Sequence, residues 1–342
     1  MADRYLITGG AGFIGSNYAD YLLSAGKSVR IFDNLSRSGA EKNLAWLRTK
    51  HGPESFELSI GDLREQEKLS EVVRDVDVVA HLAGQVAVTS SVVNPREDFE
   101  INALGTFNLL EAIRLSGQRP FVLYSSTNKV YGEMLDQEIV EKKTRYAYKA
   151  LKNGVSEIQG LDFHSPYGCS KGTADQYVQD YARIFDIPSV VMRQSAIYGQ
   201  RQFGVEDQGW LAWFAIAAVL DKPITIYGDG KQVRDMLDVR DLVRAYELAI
   251  DKRQEIAGEV FNIGGGPKQT ISIWAECGPM LEEFIGRELP VSFDQTRPGD
   301  QRVYISDIRK AKNILGWTPE IGIVDGMAEF VNWVRSNRAL FS

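Results

Sequence analysis

Cysteine and histidine are scarce in this chain: two of the first, Cys169 and Cys277, and three of the second, His51, His81 and His164, in 342 residues. Two thiols so far apart make no disulfide framework and fit free cysteines in a reducing compartment. Three scattered imidazoles offer no metal-ligand cluster, so no metal site is expected. Long apolar runs are also lacking, and no segment has the uninterrupted length of a membrane span. No block of Lys or Arg stands out against a net charge of −7, which removes the basic stripe that a nucleic-acid binder needs. Met1-Ala2-Asp3-Arg4 runs straight into a strand-like segment without the charged lead and apolar stretch of a secretory signal, and a cytoplasmic protein is expected.

What is present is an alternation of two periods. Near-continuous apolar runs at 5–8, 29–33, 56–60, 76–83, 121–126 and 190–194 read as strands of a parallel sheet covered on both faces. Between the first two, residues 13–25 place Ile14, Tyr18, Tyr21 and Leu22 on one helical face, with Gly26 positioned to end the helix. This order predicts an α/β fold, a doubly wound Rossmann sheet with a smaller, discontinuous substrate lobe. The expected boundaries are 1–194 and 235–266 for the sheet domain, 195–234 and 267–330 for the lobe, and 331–342 for a C-terminal tail. Residues 133–161 are polar, basic and poor in pattern, and read as a long loop.

The first strand opens into Thr8-Gly9-Gly10-Ala11-Gly12-Phe13-Ile14-Gly15. Gly9 suits a tight turn, Gly12 a close backbone approach to pyrophosphate, and Gly15 close packing of helix on strand. The amides at the helix start then hold phosphate. A second strand ends in Asp33, where a carboxylate accepts hydrogen bonds from an adenosine ribose diol and repels a 2′-phosphate, favouring NAD over NADP. Arg37 softens that preference. Asp62, after the third strand, is placed either to meet the adenine amino group or to cap the next helix.

Tyr167-Gly168-Cys169-Ser170-Lys171 sets a phenol and an ammonium one helical turn apart. A free phenol titrates near ~10 and is a poor base at neutral pH; a nearby ammonium and a cationic nicotinamide both favour phenolate. Thr127, at the end of Tyr124-Ser125-Ser126-Thr127, offers a hydroxyl to orient a reacting sugar oxygen. Cys169 has no histidine beside it in sequence and reads as a packed thiol, not a nucleophile.

With these segments in view, the sequence resembles the extended short-chain dehydrogenase/reductase family over essentially its whole length. It resembles most the branch of CDP-paratose (CDP-tyvelose) 2-epimerases. Asp33-Asn34-Leu35-Ser36-Arg37, Ser125-Ser126-Thr127-Asn128-Lys129 and Asp162-Phe163-His164-Ser165-Pro166-Tyr167 carry the likeness, and Gly230-Lys231-Gln232-Val233-Arg234-Asp235 extends it. The resemblance implies bound NAD, held by Gly9, Gly12, Phe13, Ile14, Gly15, Asp33, Asn34, Ser36, Arg37, Asp62, Leu63, Leu82, Ala83, Gln85, Asn102, Ser125, Tyr167 and Lys171. It implies Tyr167 as acid/base, Lys171 supporting it and Thr127 orienting the sugar hydroxyl. Gln85, Asn128, Lys129, His164 and Ser165 fall around the sugar by the same matching, Arg201 and Gln208 fall near the base, and Arg234 and Arg297 fall on the diphosphate. Guanidinium forks suit phosphate oxygens physically.

The implied partner is a nucleotide-diphosphate hexose, and the implied assembly is a homodimer or homotetramer through helices near 98–115 and 173–185. A 4-epimerase uses the same machinery with another carbon presented. A sensor that kept the fold would be expected to have lost Tyr167 or Lys171. A 4,6-dehydratase needs an acid/base beyond the tyrosine, and family members carry carboxylates just after the Ser/Thr, where this chain has Asn128 and Lys129.

Overall fold

The computed structural model describes residues 3–297 and 299–341; Met1, Ala2, Pro298 and Ser342 lie outside the described residues. In chain order the first elements are β1 (Arg4–Thr8), α1 (Phe13–Ser24), β2 (Ser28–Asp33), α2 (Ala40–His51), β3 (Glu57–Ile60), α3 (Gln66–Val72) and β4 (Val78–His81). There follow α4 (Val88–Val93), α5 (Pro95–Phe99), a π-helical turn (Glu100–Leu104), α6 (Gly105–Ser116) and β5 (Phe121–Thr127). Next come β6 (Ile139–Glu141), β7 (Tyr146–Tyr148), α7 (Ser165–Phe185), β8 (Ser189–Gln194), β9 (Ala196–Tyr198), α8 (Trp210–Val219), β10 (Ile224–Tyr227) and β11 (Val233–Asp238). The chain ends through α9 (Val239–Asp251), β12 (Val260–Ile263), β13 (Thr270–Ser272), α10 (Cys277–Ile285), β14 (Val291–Asp294), β15 (Val303–Tyr304), α11 (Arg309–Leu315) and α12 (Ile323–Ser336).

Two compact units emerge: Met1–Thr127, Pro166–Arg193 and Val243–Phe261 form one, and Asn128–Ser165, Gln194–Leu242 and Asn262–Ser342 the other. The sheet of the first unit has seven strands in the order β12-β8-β5-β4-β1-β2-β3. β1 pairs in parallel with both β2 and β4, so the winding reverses there and the crevice beyond the carboxyl ends of β1 and β4 is where such sheets take ligands. Every residue of β4 and β8 is buried, as a strand covered on both faces requires. Leu6, Val79, Val122 and Val191 meet Leu109, Ile113, Ala174 and Val178 in one apolar cluster. A buried fork fixes α7 to the sheet. Asp175 accepts from Arg193 Nε and Nη2, both at 2.9 Å, and from Ser126 Oγ at 2.7 Å. Removing one partner of such a pair costs about 3–5 kcal/mol, because the other charge is left buried.

In the second unit β11 pairs with β9, β13 and β15, and β10 pairs with β14. Phe214, Ile226, Leu281, Phe330 and Val334 centre its core. Residues 133–161 are not the featureless loop expected. β6 and β7 form an antiparallel hairpin, Ile139 opposite Tyr148. Its three-residue strands are too short to show a period, and it is held from outside: Tyr146 N–H donates to Lys231 O at 2.9 Å and Arg145 forks onto Glu276. The expected tail at 331–342 begins inside α12, where Val331 and Val334 are buried. Residues 128–165 also pack with this unit, beyond the segments expected for the lobe. Among the described residues no helix is long and apolar enough to cross a membrane.

Candidate active site

The turn after β1 gives each of its glycines a separate reason. Gly9 has φ +71, and a Cβ there would meet Ala83 N at 2.7 Å. At Gly15 a Cβ would run into the Gly9 carbonyl and Gly10 Cα, so helix and turn close only around hydrogen. At Gly12 the conformation is ordinary, φ −70 and ψ −177, and a Cβ would meet only Gly9 O at 3.2 Å. Its open face, ahead of Phe13 and Ile14 at the start of α1, fits a pyrophosphate lying against backbone amides. These residues fit a dinucleotide.

Asp33 caps the turn from the side. Its Oδ2 accepts from Ala11 N at 2.9 Å and its Oδ1 from Leu35 N at 2.8 Å. Burial raises its pKa and the two amides pull it back, leaving lone pairs on both oxygens for a diol. Arg37 is exposed and makes no ion pair among the described residues. Asp62 is not a helix cap, since Glu65 takes that position before α3. Arg64 instead grips both its oxygens at 2.8 Å, and Asn34 Nδ2 adds a third bond at 2.8 Å. Those Arg64 bonds hold the Asp62 carboxyl at about 2. Ser36 N–H donates to Asn34 Oδ1 at 3.1 Å, and Leu63 O accepts from Asn108 at 3.1 Å, so both sit in the turns beyond β2 and β3.

The catalytic candidates gather on α7 and the end of β5. Tyr167 is 8% exposed, its hydroxyl hydrogen-bonded to Thr127, and its N–H donates to Ser91 Oγ at 3.1 Å. Lys171 Nζ donates to Ser125 O at 2.6 Å and lies 4.4 Å from the centre of the Tyr124 ring. Burial lifts the Tyr167 phenol to about 12, outweighing its Thr127 bond, and lowers Lys171 to about 7. The expected drop in the phenol's pKa is therefore not produced by the protein groups: desolvation dominates both members of the pair.

Around the pair lies a buried polar web. Asn102, in the π-helical turn, donates to Gln85 O at 3.0 Å and Ser170 Oγ at 3.1 Å and accepts from Gln85 N at 2.9 Å. The Gln85 side chain closes onto Ala87 N and O, so it serves its own turn. His81 joins Thr8 Oγ1 (2.7 Å) and Thr106 Oγ1 (2.9 Å) and is held neutral by burial, its pKa lowered to about 3. Ala83 N, following Leu82, donates to Thr8 Oγ1 at 3.3 Å. Cys169 is exposed, Cys277 is buried, and neither is in a disulfide. Asp98, Ser170 and Ser91 were not among the residues expected. Asp98 sits in an acid-rich first turn, Glu97-Asp98, which reads like any solvated helix start until burial is known.

In the second unit, Arg234 is buried and pairs with Asp300 at 2.5 Å, while Lys129 Nζ donates to Gly299 O at 3.0 Å. Burial and Arg234 lower Lys129 to about 8. Asn128 Nδ2 reaches Gln301 Oε1 at 3.4 Å. Arg297 stacks on Tyr227, 3.6 Å from the ring centre, and pairs with Asp207 at 3.0 Å. Arg201 lies 5.6 Å from the Trp333 ring, and Gln208 exchanges backbone bonds with Val205. His164 pairs with Glu133 at 3.0 Å, and Ser165 opens α7 with φ +68. Among the described residues no His, Cys, Asp and Glu cluster could hold a metal.

Comparison with known proteins agrees with this geometry. A family model described as GDP-mannose 4,6 dehydratase matches residues 6–330. The chain is 45% identical over 340 residues to the CDP-paratose 2-epimerase of Salmonella typhi, covering 97% of this chain and 99% of that one. The crystal structure of UDP-glucose 4-epimerase with UDP-glucose from Thermotoga maritima superposes with a TM-score of 0.84 at 30% identity, over 98% of this chain and 99% of that one. DesIV, a dTDP-glucose 4,6-dehydratase from Streptomyces venezuelae with NAD and TYD bound, gives 0.85 at 28%, over 99% of both chains. The chain belongs to the extended short-chain dehydrogenase/reductase family.

Proposed function

We propose that this chain is an NAD-dependent nucleotide-sugar epimerase that inverts C2 of a CDP-hexose of the paratose/tyvelose type. The observation that carries the chemistry is the placing of Tyr167 and Lys171 one turn apart on α7, with Lys171 Nζ on Ser125 O of β5 at 2.6 Å, and Thr127 at the end of that strand followed by Asn128 and Lys129 where a dehydratase carries acids. The preference for C2 and for cytidine rests on the 45% identity to the Salmonella enzyme.

A C–H not adjacent to a carbonyl is too weakly acidic to invert by proton loss alone. NAD, when bound, supplies a hydride acceptor and donor for transient oxidation to a 2-keto sugar, together with positive charge near the phenol. Tyr167, as phenolate, would take the proton of the C2 hydroxyl in the oxidation and would return a proton to the same oxygen in the re-reduction. Thr127 holds the hydroxyl in line, and Lys171, donating to Ser125 O one turn from Tyr167, is read as the support of the phenolate. The first unit is assigned to the cofactor and the second to the nucleotide sugar, with Arg234 and Arg297 on the diphosphate.

Exposed Phe99, Leu115, Tyr177 and Ile184 on α5, α6 and α7 are assigned to a contact with a second copy. Two free thiols suit a cytoplasmic location. The test is incubation of purified protein with CDP-paratose deuterated at C2 or at C4, followed by NMR of the sugar. Inversion at C2 is expected. Inversion at C4, or no change across CDP-, GDP- and UDP-hexoses, overturns the reading.

A further inference from the structure

The backbone of Tyr167 has a partner outside its own helix. Tyr167 lies in the first turn of α7, where N–H groups have no carbonyl one turn behind them, and Pro166 beside it has no N–H at all. The acceptor comes from α4. Tyr167 N–H donates to Ser91 Oγ at 3.1 Å, and Ser91 is fully buried. The one proton of the Ser91 hydroxyl goes to Val88 O at 2.6 Å, so toward Tyr167 its oxygen can only accept.

α4 spans only Val88–Val93, too short to be stable by itself, and its start is held from outside. Gln85 closes on Ala87, its Nε2 donating to Ala87 O at 2.7 Å and its Oε1 accepting from Ala87 N at 2.5 Å. Ser91 N–H in turn donates to Ala87 O at 3.2 Å. Asn102 grips the Gln85 backbone, accepting from its N–H at 2.9 Å and donating to its carbonyl at 3.0 Å. The same Asn102 amide donates to Ser170 Oγ at 3.1 Å, on α7 again. The bonds therefore close a ring, from Tyr167 through Ser91, Ala87, Gln85 and Asn102 to Ser170 and back along the helix. Two tethers nearly one turn apart fix both the rotation and the slide of a helix, and the phenol rides on the end of that lever.

We propose that Ser91 is a positioning residue for the reaction: by accepting from Tyr167 N–H it sets the first turn of α7 and so the place of the phenol oxygen. The inference rests on the reading of Tyr167 as the acid/base. Its first readout needs no sugar. In full-length protein with NAD, labelled with 15N-tyrosine, the Tyr167 amide signal is identified by its loss in Tyr167→Phe and followed by hydrogen exchange. Ser91→Ala should speed that exchange about tenfold, the worth of one neutral hydrogen bond. The second readout is steady-state turnover of the CDP-hexose. There kcat should fall about tenfold, since misplacing a reacting group by about 1 Å costs up to about 100-fold, while KM and the NAD Kd stay within about twofold. Ser91→Thr, which keeps the hydroxyl, should restore both readouts. A cap that served stability alone would lower the melting temperature and leave kcat per folded site unchanged. Should Ser91→Ala fail to fold, Ser91→Cys, whose sulfur accepts only weakly, gives the same split. Unchanged exchange of the Tyr167 amide, or unchanged kcat, in a folded, NAD-binding variant overturns the proposal. If the wild type turns over only a GDP- or UDP-hexose, the same loss of kcat with that sugar leaves the proposal standing and removes the cytidine reading. If the wild type binds NAD but turns over no nucleotide sugar, the acid/base reading falls and the positioning role falls with it.

Discussion

Gly12→Ala and Gly15→Ala, two substitutions three residues apart, separate packing from ligand approach. At Gly12 the backbone is one that alanine adopts freely, and the new methyl meets a single atom, Gly9 O at 3.2 Å. A shift of a few tenths of an ångström absorbs that, and the stiffer unfolded chain returns about 0.4–1 kcal/mol, so the melting temperature should hardly move. The methyl does occupy the face assigned to pyrophosphate. Pushing a phosphate off even one backbone amide forfeits a charge-assisted hydrogen bond worth about 1.5–3 kcal/mol, a rise in the NAD Kd of roughly 10- to 150-fold. At Gly15 the methyl overlaps the Gly9 carbonyl and stands 2.7 Å from Gly10 Cα, both backbone atoms that cannot rotate away. Overpacking of that kind costs about 1–3 kcal/mol of stability before any ligand is present. Calorimetric titration with NAD and thermal unfolding of the cofactor-free protein read the two effects independently. A Gly12→Ala protein that binds NAD within twofold of wild type refutes the assigned approach. One that melts as low as Gly15→Ala refutes the argument about space.

Other outcomes follow from the same geometry. Tyr167→Phe should bind NAD normally and lose turnover by about 10²–10⁴-fold, the usual worth of a positioned acid/base, and near-normal turnover would remove its role. His81 should stay neutral in the folded protein down to about 3, while the unfolded imidazole takes a proton below its ordinary 6.5, so stability falls as pH drops through that window. A His81 ring signal in NMR titrating near 6.5 contradicts this. Arg297 must release Asp207 to bind diphosphate, so Arg297→Gln should raise KM by about tenfold, one charged hydrogen bond, and Asp207→Asn should lower it. Opposite signs in steady-state kinetics would show that the pair serves the loop alone.

How far the sequence foretold these features depended on whether a local pattern reports them. β1, the glycine turn, α1 and Asp33 were legible because period, punctuation and spacing coincide within one short stretch. Thr127, Tyr167 and Lys171 were legible as residue types, but not the sign of the pKa shift at Tyr167, since burial is a property of the folded surroundings. The β6–β7 hairpin escaped because three-residue strands have no period and their partners, Lys231 and Glu276, are far along the chain. Asp98 escaped for the opposite reason: it follows the helix-start rule so well that nothing marked it off from Glu97 beside it.

The chain of hydroxyls through His81 has a direction that can be settled by counting protons. Thr106 has one hydroxyl proton and spends it on Asn102 O at 2.6 Å, so toward His81 it can only accept. His81 must then carry its hydrogen on Nε2, which leaves Nδ1 bare to receive the Thr8 hydroxyl proton. Thr8, having donated, accepts in turn from Ala83 N–H. Every link points the same way, from the strand tip under the glycine turn to the helix that carries Asn102. A ring with the other tautomer would set its bare Nε2 against the Thr106 oxygen, two lone pairs face to face, so one proton's position on one imidazole is written into the order of the whole crevice floor.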